Sequence, residues 1–232
     1  FEPIPQGIDA SPAHEPLSRA AQLVDAKTVE DCAGQIAEIV HDLLGADRAM
    51  VYRFDERGHG QIIAEARRAG LDSFLGQHFP ESDIPRQARI LYLKSWFRAI
   101  PDAEAPVSDL IGVGDDAADK PLDLSFVTLR AVSPVHLQYM RNMGVRGSLS
   151  ISLVVDEKLW GLIACHHHDL FRTTRAQRVT AQLLGLHAST VLGQLELRER
   201  QTARAGCAGK LGELRHGFMH APNVARGIRE NA

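Results

Sequence analysis

The chain has little cysteine, no surplus of charge and no long apolar run, and each shortage excludes a class of protein. Three cysteines in 232 residues, Cys32, Cys165 and Cys207, are too few and too scattered for a disulfide framework or a zinc knuckle. A reduced, cytoplasmic setting is expected. With 26 Lys and Arg against 29 Asp and Glu, a formal charge of −3, there is no electrostatic footprint for nucleic acid or an anionic membrane. No stretch approaches the roughly 18 uninterrupted apolar residues of a membrane span. The first residues, Phe1-Glu2-Pro3-Ile4-Pro5, carry neither an initiator Met nor a signal peptide, and the sequence reads as a piece of a longer protein. Catalytic signatures are missing too. Without a GxSxG elbow, a Gly-rich phosphate loop in strand–helix context or an HExxH pair, hydrolase and kinase chemistry are not expected of this segment.

What is present is a hydrophobic fraction of 44%, enough for a real core. Residues 1 to about 14, with three prolines and a glycine, read as a linker. The spacing of Val29, Cys32, Ile36, Ile39 and Leu43 predicts a helix over about 28–44, opened by Thr28 and Asp31 and closed by Gly45; Cys32 lies on its apolar stripe and reads as core. Two strands, about 48–55 and 60–67, follow, with Met50, Tyr52 and Phe54 on one face of the first. A helix entered through Asp83-Ile84-Pro85 runs to about Trp96, and a strand covers Phe97–Pro101. A long polar loop spans about 102–122, and two helical pieces over 125–143 are broken at Ser133-Pro134. A hairpin of strands 146–155 and 158–168 turns at Asp156-Glu157. The last element is a long helix from about Thr174 to Arg200 with two apolar stripes: Ala176, Val179, Leu183 and Leu186, and Leu184, Ala188, Val191 and Leu195. One stripe can cover a sheet and leave the other, the Val191–Leu195 side, for a partner helix. Short hairpin links imply a central antiparallel sheet flanked by helices, an α+β class.

Three groups of residues ask for a chemical reason. Ser148, Ser150 and Ser152 alternate with Leu149, Ile151 and Leu153. Small hydroxyls where a solvent-facing strand would carry long charged side chains suggest a wall with room beside it; a plain surface strand is the other reading. His166, His167 and His168 invite a metal, but alternation places only two of them on one side. A third ligand such as His136 would have to come from elsewhere, so ligand-contacting or structural histidines are the better reading. Arg98 and Arg130 end apolar stretches, and a buried guanidinium must find an anion. Two such forks suit a ligand with two carboxylates or phosphates, or else internal ion pairs with some of the 29 acids.

Several runs in sequence order, Phe79-Pro80-Glu81-Ser82-Asp83-Ile84-Pro85, Leu129-Arg130-Ala131-Val132-Ser133-Pro134-Val135-His136-Leu137-Gln138-Tyr139-Met140 and Leu159-Trp160-Gly161-Leu162-Ile163-Ala164-Cys165-His166-His167, resemble the chromophore-binding GAF domain of phytochromes. Met50-Val51-Tyr52-Arg53-Phe54 and Asn142-Met143-Gly144-Val145 match as well. The resemblance spans about 18–200. It implies a GAF domain over 15–200, the end of a PAS domain and linker at 1–14, and a linker helix with the start of a PHY domain at 201–232, where Phe218-Met219-His220-Ala221-Pro222 is the similar segment.

The same resemblance implies a ligand, biliverdin, a linear tetrapyrrole. Arg98 and Arg130 match the residues that pair with its two propionates, with Ser148 and Ser150 on that side. Asp83 and His136 match the pair near the pyrrole nitrogens, and His166 the partner of the ring D carbonyl. Tyr52, Phe79 and Tyr139 match the cage around that ring, with Met50, Ile84, Pro85 and Tyr92 nearby. Light-driven Z-to-E isomerisation between rings C and D would signal to a downstream output, usually a histidine kinase acting on a response regulator, so no enzyme activity is expected of this segment itself. A homodimer through the helix at 174–200 and contacts with the chain's own PAS and PHY domains are the implied partners. Loop 102–122 matches the region through which an N-terminal segment threads. The sequence departs from the pattern twice: Glu81 stands where Ala is usual, and Val135 replaces the attachment Cys of plant and cyanobacterial members. The latter implies a bacteriophytochrome, whose attachment Cys lies upstream. The alternative is a GAF domain that senses another small molecule, or that only dimerises.

Overall fold

The computed structural model describes residues 14–109, 122–127 and 130–220. The chain divides into two compact units, residues 1–192 and residues 193–232. The elements run α1 (His14–Ala21), α2 (Val29–Leu44), β1 (Arg48–Phe54), β2 (Gly60–Arg67), β3 (His78–Phe79), α3 (Arg86–Lys94), β4 (Phe97–Ile100), α4 (Pro134–Asn142), β5 (Gly147–Val155), β6 (Lys158–His167) and α5 (Arg175–His220), with 3-10 turns at Gln22–Asp25 and Glu81–Asp83.

Local signals set most of these boundaries. Thr28 caps α2 by accepting from the Asp31 N–H at 3.1 Å, while Asp31 takes the Lys27 N–H at 3.1 Å. Gly45 ends the helix in the left-handed region at φ 62°, where a Cβ would be strained. Asp156 and Glu157 both take positive φ, 50° and 61°, the backbone of a tight two-residue hairpin turn.

The six strands form one antiparallel sheet in the order β3-β2-β1-β6-β5-β4, so the expected α+β architecture is present. On one face Ala49, Val51, Leu149, Ile151, Ile163 and Cys165 are buried. α2 packs on β1 and β2 there, and α5 approaches β5 so closely that a Cβ on Gly185 would lie 2.4 Å from Ile151 Cγ2. Gln177 of α5 donates to the Leu43 carbonyl at the end of α2 at 2.9 Å. The other face is left to α3 and α4. Ser152 Oγ donates to the Tyr92 carbonyl of α3 at 2.8 Å, and Met140 of α4 packs with Ile100, Ala103 and Val145 at the β4 end.

Four expectations are corrected. The described residues of 122–133 are not helical, and only Pro134–Asn142 forms a helix; Thr128 and Leu129 lie outside the described residues. The long helix continues twenty residues beyond Arg200, to His220. Its sheet-side stripe is Leu184, Ala188, Val191 and Leu192, all buried, whereas Val179, Leu183 and Leu186 stay about half exposed. The side expected to face a partner is therefore the covered one, because the small Gly185 and Ala188 let that side approach the strand closely. Finally, Leu153 pairs with Gly161 but Val154 with Leu159. This bulge shifts the strand by one residue and brings Leu159 onto the cluster around Tyr52, a face to which simple alternation does not assign it. Most of loop 102–122, the first thirteen residues and Ala221-Pro222 lie outside the described residues.

Candidate functional site

The face of the sheet beneath α3 and α4 carries most of the residues singled out by sequence. Strand register lays them in rungs. Arg98, Ser150, Ala164, Met50 and Glu65 are successive neighbours across β4, β5, β6, β1 and β2; the next rung toward α4 is Ile100, Ser148, His166, Arg48 and Arg67. Since directly paired residues project to the same side, serine, arginine and histidine share one wall with no bulky residue between them. The hydroxyl of Ser152 is spent on Tyr92. Among the described residues nothing hydrogen-bonds the Ser148 or Ser150 hydroxyls.

Arg98 is the unusual member. Its Nη1 is buried without a hydrogen-bond partner. Burial, and next the charge of Arg130, pull its pKa below the ordinary arginine value. Arg130 points its own Nη1 at the carbonyls of Ser125 (3.0 Å) and Val127 (3.1 Å). No carboxylate lies within ion-pair distance of either guanidinium among the described residues. Two neighbouring cations, one of them partly desolvated, suit an anion.

The histidines divide. His166 has an unpartnered buried Nδ1 and a pKa lowered to about 4 by burial, then by the charges of Arg48 and His136, so it is neutral near pH 7. His136, near the start of α4, is also shifted downward, by burial and then by Arg98; its ring stacks on Tyr139 with centroids 6.4 Å apart. His167 and His168 turn away to Asp47, which accepts from the His168 N–H at 2.9 Å and lies 2.9 Å and 3.1 Å from the Nδ1 atoms of His168 and His167. With Arg68 Nη1 at 3.0 Å, this is a self-contained polar cluster. No group of three or more His, Cys, Asp or Glu with metal-binding geometry exists among the described residues.

Opposite the arginines is an aromatic wall. Met50, Tyr52, Ile62 and Leu162 form a buried cluster, with Phe54, Phe74, Phe79, Ile84, Tyr92 and Leu159 packed against it. Tyr52 meets Phe54 edge-on at 5.1 Å and Phe79 at 5.9 Å. It lies across Gly60, where any Cβ would collide with its ring. Its hydroxyl is buried and unpartnered, and its pKa rises to about 12 through burial, then the charge of Asp83 and the nearby Tyr139. Tyr139 is shifted upward by burial and by Asp83. Asp83, in the 3-10 turn that leads through Pro85, the α3 N-cap, into the helix, thus sits by both phenols. Tyr52, Phe79, Asp83, Ile84, Pro85, Tyr92, Tyr139, His136, His166, Ser148, Ser150, Arg98 and Arg130 all fall on this side of the sheet or on the elements covering it.

Sequence reasoning missed the support behind His166. Arg48, its rung neighbour, is buried, ion-paired with Glu65, donates to the Asp72 carbonyl at 2.6 Å and lies 3.9 Å over the Phe74 ring. Burial raises the Glu65 pKa, but hydrogen bonds from Ser73 and the Phe74 N–H, then Arg48, more than offset it and leave the carboxyl lowered. The signal was an arginine and a glutamate within otherwise apolar, alternating strands. Neither Cys32 nor Cys165 is a usable nucleophile at neutral pH: both are buried, with pKa raised to about 12 by desolvation.

Two neighbouring arginines, unengaged serine hydroxyls, two histidines shifted toward the neutral form and an aromatic cluster suit a large, flat, anionic ligand. The family model of the GAF domain matches residues 28–192, and the chain belongs to the GAF domain family. Its relatives are phytochromes: it is 44% identical over 169 residues to cyanobacterial phytochrome B of Nostoc sp., covering 73% of this chain and 22% of that protein, and 44% identical over 168 residues to the bacteriophytochrome of Xanthomonas campestris pv. campestris, covering 72% and 26%. The chain thus spans about a quarter of the length of these relatives. The solved chromophore-binding domain of Stigmatella aurantiaca phytochrome P1 superposes with a TM-score of 0.75 at 40% identity, over 82% of this chain and 62% of that one. That of an unusual R. palustris bacteriophytochrome gives 0.75 at 38% identity, over 79% and 61%.

Proposed function

We propose that the chain is the chromophore-binding GAF domain of a bacteriophytochrome, a red/far-red light receptor holding biliverdin between the sheet and α3–α4. The observation that carries this is Arg98: a partly buried guanidinium with an orphaned Nη1, beside a second arginine and two unengaged serines, favours an anion opposite it. The two propionates of a linear tetrapyrrole meet that need, and the wall of Tyr52, Phe79, Ile84, Tyr92 and Tyr139 suits its flat apolar rings.

Bound biliverdin would supply red-light absorption and Z-to-E isomerisation between its rings C and D. The protein's residues do the rest. Arg98 and Arg130 would bind the carboxylates, with Ser148 and Ser150 donating on that side. Asp83 and His136 would hold the protons of the pyrrole nitrogens. His166, neutral and with Nδ1 unspent, would hydrogen-bond the ring D carbonyl, and Tyr52, Phe79 and Tyr139 would line the space around that ring. Val135 stands where plant and cyanobacterial members carry the attachment cysteine, and Cys32 and Cys165 are buried while Cys207 lies in the second unit, so the thioether is assigned to a cysteine upstream of this chain.

Residues 1–14 are assigned to the end of a PAS domain and 201–232 to a linker helix and the start of a PHY domain. The segment itself is read as non-enzymatic; a histidine kinase and its response regulator would be the downstream output. Dimerisation is assigned to the exposed Val179–Leu186 stripe of α5. No described helix is long and apolar enough to cross a membrane.

The test is to add biliverdin to the apoprotein, with and without the upstream segment, and to record absorbance before and after red illumination. A sharpened red band that shifts with light supports the proposal. No band in either form would overturn it and favour a GAF domain sensing a different small molecule.

A further inference from the structure

Glu81, one of the two residues that depart from the phytochrome pattern, is engaged rather than idle. Its carboxylate accepts from Arg89 Nη2 at 2.5 Å, and its own N–H donates to His59 Nδ1 at 3.3 Å. The same guanidinium sends Nη1 to the Ile84 carbonyl at 2.9 Å and approaches the Gly58 carbonyl at 3.5 Å. It lies flat on Gly58, where a Cβ would stand 2.9 Å from Nη1 and φ is +87°. The β1–β2 turn beneath is itself rigid: Asp55 Oδ1 accepts the N–H groups of Arg57 and His59, both at 2.9 Å.

We propose that Glu81 and Arg89 form a latch that positions the Pro80–Pro85 turn against the ligand pocket, making Glu81 a positioning residue for the ligand. This rests on the photoreceptor reading above. The turn is held at both of its ends, at Glu81 and at the Ile84 carbonyl, by one side chain from α3, and that side chain is braced on the β1–β2 turn. Between the two attachment points lies Asp83, whose charge reaches the phenols of Tyr52 and Tyr139. Ile84 packs on the aromatic cluster. An alanine at position 81 would leave Arg89 with carbonyl partners only, and the N-terminal half of the turn would keep only the residue 81 N–H bond to His59.

The side chain of Glu81 is half exposed and that of Arg89 largely covered, so the pair belongs to the modest class of ion pairs, and salt weakens it. Glu81→Ala in the ligand-free chain is expected to speed amide hydrogen exchange in the peptide spanning 80–85 by about fivefold, with α2 peptides unchanged. Glu81→Gln, which still accepts a hydrogen bond, should fall between, and about 1 M salt should narrow the difference from the parent. After biliverdin addition, Glu81→Ala should take up pigment but show a broader red band and lower bilin fluorescence than the parent. Equal exchange at 80–85, or a uniform rise across all peptides, would overturn the latch. A pigment spectrum identical to the parent's would overturn the positioning role. If the parent takes up no biliverdin either with or without the upstream segment, the photoreceptor reading fails and the positioning role fails with it, while the exchange data still decide the latch.

Discussion

A guanidinium taken out of water without a carboxylate partner is a liability for the folded chain unless something else meets it, and Arg98 is in that position. Charge-assisted hydrogen bonds contribute about 1.5–3 kcal/mol each. Replacing Arg98 and Arg130 together by alanine should therefore weaken biliverdin uptake by at least about 100-fold, read by titration of the apoprotein. Unchanged uptake would remove the anion-receptor argument. His166 gives a pH prediction. Its folded pKa, about 4, lies below the ordinary histidine value of 6.5, so the unfolded chain binds the extra proton first. Its contribution to stability is complete above pH 6.5 and is lost as pH falls from there toward 4. His136, shifted the same way, adds to the slope. His166→Gln should flatten the fall in urea midpoint between neutral and mildly acidic pH. Arg98, Arg130 and the serines were legible in sequence as residues out of place. The Arg48–Glu65 pair behind His166 was not, because a pairing across two strands seventeen residues apart leaves no periodic trace.

Between elements, closeness of approach decides what a substitution does. A methyl group added at Gly34 in α2 would meet nothing within 4 Å, whereas one added at Gly185 in α5 would lie 2.4 Å from Ile151 Cγ2. Glycine costs a helix interior about 1 kcal/mol relative to alanine. Gly34→Ala should accordingly stabilise the fold by up to about 1 kcal/mol, while Gly185→Ala should destabilise it by about 1–3 kcal/mol as β5 and α5 are forced apart; chemical denaturation of the two variants gives the comparison. The helices and hairpins themselves were readable from period and punctuation. The bulge at Leu159 and the short strand His78–Phe79 were not, since both are fixed by pairing with a neighbour.

For the whole molecule, the dimer proposed above would form through the exposed side of α5. Val179, Leu183 and Leu186 are 46%, 53% and 50% exposed, while Val191 is 4% exposed. Charging Leu183 and Leu186 together to glutamate should convert a dimer to a folded monomer by light scattering, with circular dichroism unchanged. Val191→Glu should instead unfold the domain, at a cost of about 3 kcal/mol or more for a buried unpaired carboxylate. A dimer that survives the first change would move the interface elsewhere.

By itself the sequence determined the α+β class, the antiparallel hairpins and the capped α2, because these follow from alternation, helical period and turn chemistry acting over a few neighbouring positions; most of the candidate pocket residues came from the resemblance of longer motifs to the phytochrome GAF domain. Only the tertiary structure decided which apolar stripe of α5 covers the sheet, which serine is spent on α3, how Arg48 backs His166 and what Glu81 holds. Each of those depends on groups far apart in the chain, as Ser152 and Tyr92 are at sixty residues, and burial and charge at such contacts exist only once the chain has closed on itself.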